Sequence, residues 1–366
     1  MKKTNLKNSI ILITGGTGSW GKELVKQLLE KEHPKEIRIY SRGEQEQVKM
    51  KREFQNKTLS FYIGNIRDKN RLMLALINTD YVFHLAALKH VPVCEENPWE
   101  AVKTNIIGTQ NLIECSLENN VKKVIYISTD KAVDPLNLYG VTKAASEKLI
   151  IAANLKRVMT DFVCIRGGNV TGTKGSVIPL FKEQIQRLNE ITLTDKTMTR
   201  FFMNLNDAIK LVLKAAKDSI GGEIFVMKTS ALKIIDLADI MIKKLGNKNT
   251  KINTIGIRPG EKLFEILISK YEAERTYNMG KYFIILPQIK LEKTHKYYKK
   301  KKLSKITYEE YNSNNVPQLK KQKIEMFLRN EGWLNNNIET DALKYLKSLD
   351  KKNLRQFFKS EGWTKK

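Results

Sequence analysis

Cysteine is scarce in this chain. Its 366 residues hold 3, Cys94, Cys115 and Cys164, an odd number with no CxxC spacing. That argues against both a disulfide framework and a zinc site, and no metal is expected. Long apolar runs are missing too: none approaches the roughly 18 to 20 residues that a membrane span needs. The start, MKKTNLKNSIILITGG, is basic, but its apolar stretch is short for a secretory leader and no small-residue cleavage site follows. It runs into a glycine motif and reads as a first strand, so the expected compartment is the cytoplasm.

Acid is scarce relative to base. Against 65 Lys+Arg stand 39 Asp+Glu, a formal charge of +26. An excess of lysine neutralises phosphates in nucleic-acid binders, yet no helix–turn–helix, RRM or finger pattern accompanies it. Residues 289–366 carry 20 basic and 9 acidic side chains, or +11, so the other 288 residues hold +15. Basicity spread in this way suits a soluble protein that handles an anionic cofactor and substrate, and nucleic acid is not the expected partner. Hydrophobic residues at 41% describe an ordinary globular composition.

What is present is alternation. Short apolar runs, SIILIT (9–14), EIRIY (36–40), LSFYI (59–63), YVFH (81–84), VIYIS (124–128) and FVCIR (162–166), read as parallel strands covered on both faces. Helical patterns such as 19–31, 98–118 and 136–155 lie between them, and GGEIFVM (221–227) reads as a further strand. The expected fold class is α/β: a Rossmann-like doubly wound parallel sheet with a smaller, interleaved C-terminal substrate domain. Residues 1–166 and 201–228 are assigned to the first, and 167–200 and 229–290 to the second. A basic extension follows over 291–366, where FLRNEGW (327–333) is echoed by FFKSEGW (357–363).

ILITGGTGSWGKELV sets Gly15, Gly18 and Gly21 between a strand and a helix. Such a loop turns tightly, lets backbone approach a pyrophosphate, and presents the helix N-terminus to its charge. Thr17, Ser19 and Trp20 surround the glycines. A dinucleotide site of this kind usually carries an acid at the end of the second strand to hold the ribose. Ser41 and Arg42 stand there instead, which favours the 2′-phosphate of NADP over NAD, although Glu44 and Glu46 lie nearby. Asn65 and Ile66, in GNIRD, flank the adenine in this reading. Ala86, Ala87 and Lys89, in HLAALKH, line the cofactor, with Lys89 toward the substrate.

STDKAVDPLNLYGVTK (128–143) places Asp130 and Lys131 side by side after the fifth strand. Tyr139 and Lys143 follow, one helical turn apart on a shared face. A nearby ammonium favours a phenolate, so this pair is a unit for taking a proton from a substrate hydroxyl while hydride leaves the same carbon. The plain alternative for Asp130 and Lys131 is an ion pair capping a loop.

Taken together, TGGTGSWG, Thr129 just after its strand, and YGVTK resemble the extended short-chain dehydrogenase/reductase superfamily. SRGE, AALKHVP, STDKA, NLYG, GSVIP, MTRF and IRPGEKL further resemble its inverting UDP-N-acetylglucosamine 4,6-dehydratases, which make a 5-epimerised 4-keto-6-deoxy sugar for pseudaminic acid and related glycans. The resemblance runs from about residue 8 to 290 and implies a role for each group. Tyr139 with Lys143 oxidises C4. Lys131, where retaining enzymes carry glutamate, removes the C5 proton as a neutral amine with lowered proton affinity. Asp130 protonates the departing 6-hydroxyl. Asn169 contacts cofactor and sugar nucleotide, as do Lys89 and Tyr139; Val91, Lys174, Val177 and Thr194 contact the sugar nucleotide. Arg258 grips the diphosphate, and Arg200 and Glu261 shape the uridine pocket. Gly167 stands where the family carries an aromatic residue, which leaves a gap near the nicotinamide. Self-association as a dimer or hexamer is also implied. Competing readings are a retaining dehydratase, a UDP-sugar 4-epimerase, which needs the Tyr–Lys pair but no C5 base, and a cofactor-binding regulator or nucleic-acid-associated protein.

Overall fold

The computed structural model describes residues 4–156, 159–171, 176–335, 346 and 349–360. In chain order the strands are β1 (Ile10–Thr14), β2 (Glu36–Ser41), β3 (Leu59–Ile63), β4 (Tyr81–His84), β5 (Lys123–Thr129) and β6 (Asp161–Gly167). Next come β7 (Asn169–Val170), β8 (Glu190–Leu193), β9 (Thr199–Met203), β10 (Ile224–Met227) and β11 (Ala231–Lys233). The last are β12 (Lys251–Thr254), β13 (Ile266–Ile268), β14 (Thr276–Met279), β15 (Tyr282–Ile285) and β16 (Tyr311–Asn312).

Two compact units share these strands. The first, Met1–Gly167, Asn206–Lys228 and Leu267–Glu310, holds a nine-stranded sheet in the order β14-β15-β10-β6-β5-β4-β1-β2-β3. From β3 to β10 every pairing is parallel, while β15 and β14 run antiparallel at one edge. The α/β doubly wound class is therefore the observed one. The central strands are continuous aliphatic runs because helices cover both faces: Ile11, Leu12, Ile13, Val82, Phe83, Val124 and Ile125 are all fully buried. One helix departs from expectation. The 98–118 pattern is split into Pro98–Ala101, a π-helical turn over Val102–Ile107, and Gly108–Glu118. The extra residue in such a turn re-aims the side chains around it, a device common near functional groups.

The second unit is Gly168–Leu205, Thr229–Ile266 and Tyr311–Lys366. It contains a sheet in the order β11-β9-β7 and the pair β12-β8. Its core sets Ile178, Phe181 and Ile185 of the Val177–Leu188 helix against Leu237 and Met241, and against Ile324, Leu328 and Trp333 near the C-terminal end. The buried Lys182 ammonium donates to the Trp333 carbonyl at 3.3 Å, so the tail is tied by charge as well as by apolar area.

These boundaries differ from the sequence expectation in four places, the smallest being Gly167, which closes β6 and stays with the first unit. Residues 201–205 stay with the second unit because β9 pairs with β7 and β11. Residues 267–290 join the first unit because β15 and β14 extend its sheet beyond β10. The stretch from 291 divides between the units. Thr294 and Tyr298 donate to Gly221 and Glu223 of the first, while residues from Tyr311 fold with the second. The sequence echo has a physical counterpart. Helices Lys321–Asn330 and Lys351–Ser360 bury residues at matching positions, Ile324 with Leu354 and Leu328 with Phe358. The second copy packs on Leu180, and the end of its motif lies outside the described residues.

Trp333 fills the junction between the tail and the second unit's core. Trp333→Ala is expected to lower unfolding free energy by about 3 kcal/mol, measured by urea denaturation of the full chain; a change below about 1 kcal/mol would mean that the tail is not part of this core.

Candidate active site

The loop after β1 depends on two glycines. Gly15 sits at φ +68°, and a Cβ there would come within 2.9 Å of the Ala86 backbone nitrogen. At Gly21 a Cβ would lie 2.2 Å from the Gly16 carbonyl oxygen, so the helix can approach the strand only without a side chain. Gly18 is less demanding: its added Cβ would make an ordinary contact at 3.4 Å. The Ser19–Lys31 helix starts here with no side-chain cap and no acid in its first turn. Its first N–H groups and its dipole thus suit an anion, which fits a dinucleotide pyrophosphate. Thr17, Ser19 and Trp20 line the turn and are partly buried.

At the end of β2 the Ser41 hydroxyl accepts from Gln47 Nε2 at 3.0 Å and Arg42 is exposed. The Glu46 carboxylate folds back over Gly43, where a Cβ would meet it at 2.3 Å. Past β3, the Asn65 carbonyl accepts from the Tyr40 hydroxyl at 2.9 Å, and Ile66 packs on Gly108.

Beyond β4 the chain is held by a network that the sequence reading did not assign. His84 lies 2.7 Å from the Thr14 hydroxyl through Nδ1 and 3.1 Å from the Thr109 hydroxyl through Nε2. Thr109 spends its proton on the Asn105 carbonyl at 2.6 Å. Connectivity therefore makes Nε2 the donor and Nδ1 the acceptor from Thr14, which itself accepts from Ala86 N–H at 3.3 Å. The ring is neutral: burial, reinforced by the Lys143 charge, lowers its proton affinity to about 3. Asn105, in the π turn, brackets Leu88 by accepting from its N–H at 2.8 Å and donating to its carbonyl at 3.0 Å. It also donates to Thr142 at 2.9 Å. Ala86 and Ala87 are so fixed beside Gly15, whereas Lys89 is exposed and Val91 opens the Val91–Glu96 helix. A π turn leaves no mark in residue periodicity, and this is why Asn105 escaped the sequence reading.

Four of the residues singled out around the end of β5, Thr129, Asp130, Lys131 and Tyr139, come together. Asp130, wholly buried, opens a short 3₁₀ turn over Asp130–Ala132. Its Oδ1 accepts from the Thr129 hydroxyl at 2.9 Å and from Lys131 Nζ at 3.0 Å. The Leu138–Ala153 helix, capped by Asn137, brings Tyr139 to the same place. It can do so because position 140 is glycine: a Cβ there would stand 2.2 Å from the Lys131 carbonyl oxygen.

Charge around the phenol differs from the expected pattern. Burial pushes Tyr139 up to about 12; Lys131 pulls the other way, Asp130 adds to the rise, and a hydrogen bond with Thr129 lowers it. Lys131 is a cation acting on the phenol, in addition to the role the sequence reading gave it. The Lys143 ammonium donates to the Ile127 carbonyl at 2.6 Å and lies 4.0 Å from the centre of the Tyr126 ring. Burial brings its own proton affinity down to about 7, with Glu147 opposing. In a water-poor setting each group drifts toward its neutral form, and that desolvation outweighs the mutual support expected of the pair. The expected gap at Gly167 is also filled, since the Met227 sulfur stands 3.3 Å from where a Cβ would be.

In the second unit Asn169 pairs with Phe202 across β7 and β9, Val177 begins its helix, and Thr194 is buried after β8. Arg258 makes a double contact with Glu261 at 3.0 and 2.9 Å. Arg200 is buried and donates to the carbonyls of Thr199, Lys262 and Leu263, so it ties the loop that carries Glu261. Lys174 lies outside the described residues. Among the described residues no cluster of His, Cys, Asp or Glu is arranged to hold a metal ion, and Cys94, Cys115 and Cys164 are buried and unbridged.

The profile of one family, described as polysaccharide biosynthesis protein, matches residues 11–287. The chain belongs to that family. A UDP-N-acetylglucosamine 4,6-dehydratase (inverting) of Campylobacter jejuni is 49% identical to it over 284 residues, 77% of this chain and 84% of that one. A UDP-glucose 4-epimerase of Rickettsia canadensis is 41% identical over 323 residues, 87% of this chain and 94% of the other. Among solved structures, Pen from Bacillus thuringiensis matches with a TM-score of 0.81 at 39% identity, covering 89% of this chain and all of that one. No helix among the described residues is long and apolar enough to cross a membrane.

Gly140 sets the distance between the 3₁₀ turn and the helix of Tyr139. Gly140→Ala is expected to cost about 1–3 kcal/mol of stability through the clash with the Lys131 carbonyl. Thermal unfolding against the unaltered chain measures this, and an unchanged midpoint would show that the helix start has room to shift.

Proposed function

We propose that this family member is a UDP-N-acetylglucosamine 4,6-dehydratase that inverts C5 of the sugar. The observation that carries this reading is the buried Asp130 carboxylate, shared by the Thr129 hydroxyl at 2.9 Å and the Lys131 amine at 3.0 Å, with Tyr139 on the adjoining helix turn. An epimerase needs the phenol but no acid–base pair for elimination; a dehydratase needs both. The dehydratase name of a relative 49% identical supports the same choice.

A nicotinamide dinucleotide bound on the Gly15–Gly21 loop supplies a temporary hydride acceptor. The residues here do the rest. Tyr139, once its own proton has passed to solvent and it stands as the phenolate beside Lys131, would take the proton of the C4 hydroxyl as that carbon is oxidised. The resulting C4 ketone acidifies the C5–H bond, and Lys131 removes that proton as a free amine. Asp130, as a carboxylic acid, protonates the C6 hydroxyl so that water leaves. With the dinucleotide bound, the hydride taken from C4 would be available to C6, and a proton from solvent on the face opposite Lys131 would restore C5, so there would be no net oxidation.

The contact between Asp130 and Lys131 joins these roles. One proton moved along the 3.0 Å hydrogen bond from the ammonium to the carboxylate turns the resting ion pair into an acid and a base together. Lys143, one turn beyond Tyr139 on the same helix, is held at the end of β5 by the Ile127 carbonyl. Arg258, aligned by Glu261, suits the diphosphate, and Asn169, Lys174, Val177 and Thr194 the sugar nucleotide. Arg42 and Ser41, at the end of β2, support NADP as the dinucleotide.

The second reading, a UDP-sugar 4-epimerase, is favoured by the relative of that name. Turnover of UDP-N-acetylglucosamine in deuterated water separates the two. A 4-keto-6-deoxy product carrying deuterium at C5, seen by NMR, is expected; unlabelled UDP-N-acetylgalactosamine would reject the dehydratase. Lys131→Met is expected to lower turnover by about a thousandfold or more, in the range that loss of a general base gives. Undiminished dehydration by that variant would remove Lys131 from the mechanism.

A further inference from the structure

The C-terminal stretch carries a motif that the proposed reaction does not use, FLRNEGW and its echo FFKSEGW. The helices of both copies meet one element of the second unit, the Val177–Leu188 helix. That helix needs partners on every side. Eight consecutive residues, Ile178 to Ile185, are buried, with Lys182, Glu183 and Gln184 among them. A helix on the surface of a layer would leave so polar a stretch in water. With about 3.6 residues to a turn, Ile178, Phe181 and Ile185 share one face, and Leu180 and Arg187 lie about half a turn away. The first face packs with Ile324, Leu328 and Trp333 of the first copy and its helix. Leu180 packs with Leu354 and Phe358 of the second.

Directed contacts repeat this arrangement. Lys182 Nζ donates to the Trp333 carbonyl at 3.3 Å and to the Asn335 carbonyl, just beyond the first copy's helix. Arg187 donates to the Leu346 carbonyl at 2.9 Å and to that of Leu349, just before the second copy's helix. Glu183 steadies Arg187 at 3.2 Å. Apolar contact has no direction and lets a helix slide or turn on its neighbours, whereas a cation bonded to a pair of carbonyls does not. Lys182 and Arg187 therefore fix the register of the helix along its own axis, one on each side.

We infer that the duplicated tail is a two-sided clamp on the Val177–Leu188 helix, with Lys182 and Arg187 as positioning residues, and that it sets the place of Val177 at the helix start. Val177 packs on the same cluster as Trp333. This deepens the proposed function and rests on the role given there to Val177 in holding the sugar nucleotide. A binding element that is in place only part of the time lowers apparent affinity by that fraction. The clamp keeps the helix in place before the sugar nucleotide arrives.

Phe358→Asp tests this, because it puts a carboxylate into the Leu180 cluster and unseats the second copy without touching the first. Two measurements are made on the full chain with NADP present. Amide hydrogen exchange over 177–188, followed by mass spectrometry, is expected to become faster by about tenfold or more. Calorimetric titration with UDP is expected to show affinity lower by about fivefold. NADP affinity, which belongs to the Gly15–Gly21 loop of the first unit, stays unchanged. Unaltered exchange over 177–188 would overturn the clamp, and faster exchange with undiminished UDP affinity would overturn its bearing on the site. Equal loss of UDP and NADP affinity would mark general destabilisation and also sink the proposal. Arg187→Met keeps the apolar stem but removes the carbonyl bonds; the same pattern at smaller size is expected, and this variant decides alone if Phe358→Asp does not fold. An unaltered chain that holds no UDP would count against the proposed function, while the exchange measurement still decides the clamp.

Discussion

A carboxylate removed from water has to be held by donors, and Asp130 is such a carboxylate. It sits at the end of β5, where the chain turns through one short 3₁₀ turn before the Leu138–Ala153 helix begins. Thr129 and Lys131 supply donors on either side of it. Those donors stay in place because the next helix presses on the Lys131 carbonyl, and it can press so closely only through a glycine. Acid, amine, hydroxyl and phenol are thus positioned by two packing facts, a strand end and a residue without a side chain.

The surrounding sheet gives these groups their electrostatic character. Aliphatic strands covered on both faces leave little water near the end of β5, and desolvation dominates. His84 is kept neutral, the Tyr139 phenol is pushed up, and the Lys143 amine is brought down. Only paired charges remain viable there, which is why Arg166 uses every donor it has and Glu147 faces a cation. In the second unit Arg200 shows the same logic: it is buried, so its donors go to three backbone carbonyls. An arginine spent in this way organises a loop, whereas Arg258 is less buried and is held by Glu261.

Much of this was legible before any coordinates. Apolar runs of 4 to 7 residues marked the parallel strands within a residue or two, because a strand buried on both faces admits little else. The glycine loop marked the tight turn from β1 into its helix, and the spacing from Tyr139 to Lys143 put both on one helix. Less legible were features in which distant segments compete. Residues 267–290 lacked a pattern that tied them to the first sheet, since an antiparallel edge strand is recognised by its partner and not by its own composition. The π turn at Asn105 has no sequence period of its own. Gly167 looked like a gap because Met227, its neighbour on β10, is 60 residues away in the chain.

By itself the sequence determined the class of fold, where its parallel strands lie along the chain and the kinds of chemical group at the end of β5. It did so because local periodicity and backbone requirements are written residue by residue. Only the tertiary structure decided which charge meets which. Lys131 meets the Asp130 carboxylate, the Thr14 hydroxyl holds the Ala86 N–H, and Arg166 joins segments a hundred residues apart. Electrostatic partners are selected by distance and by the absence of water, and neither exists until the chain has folded.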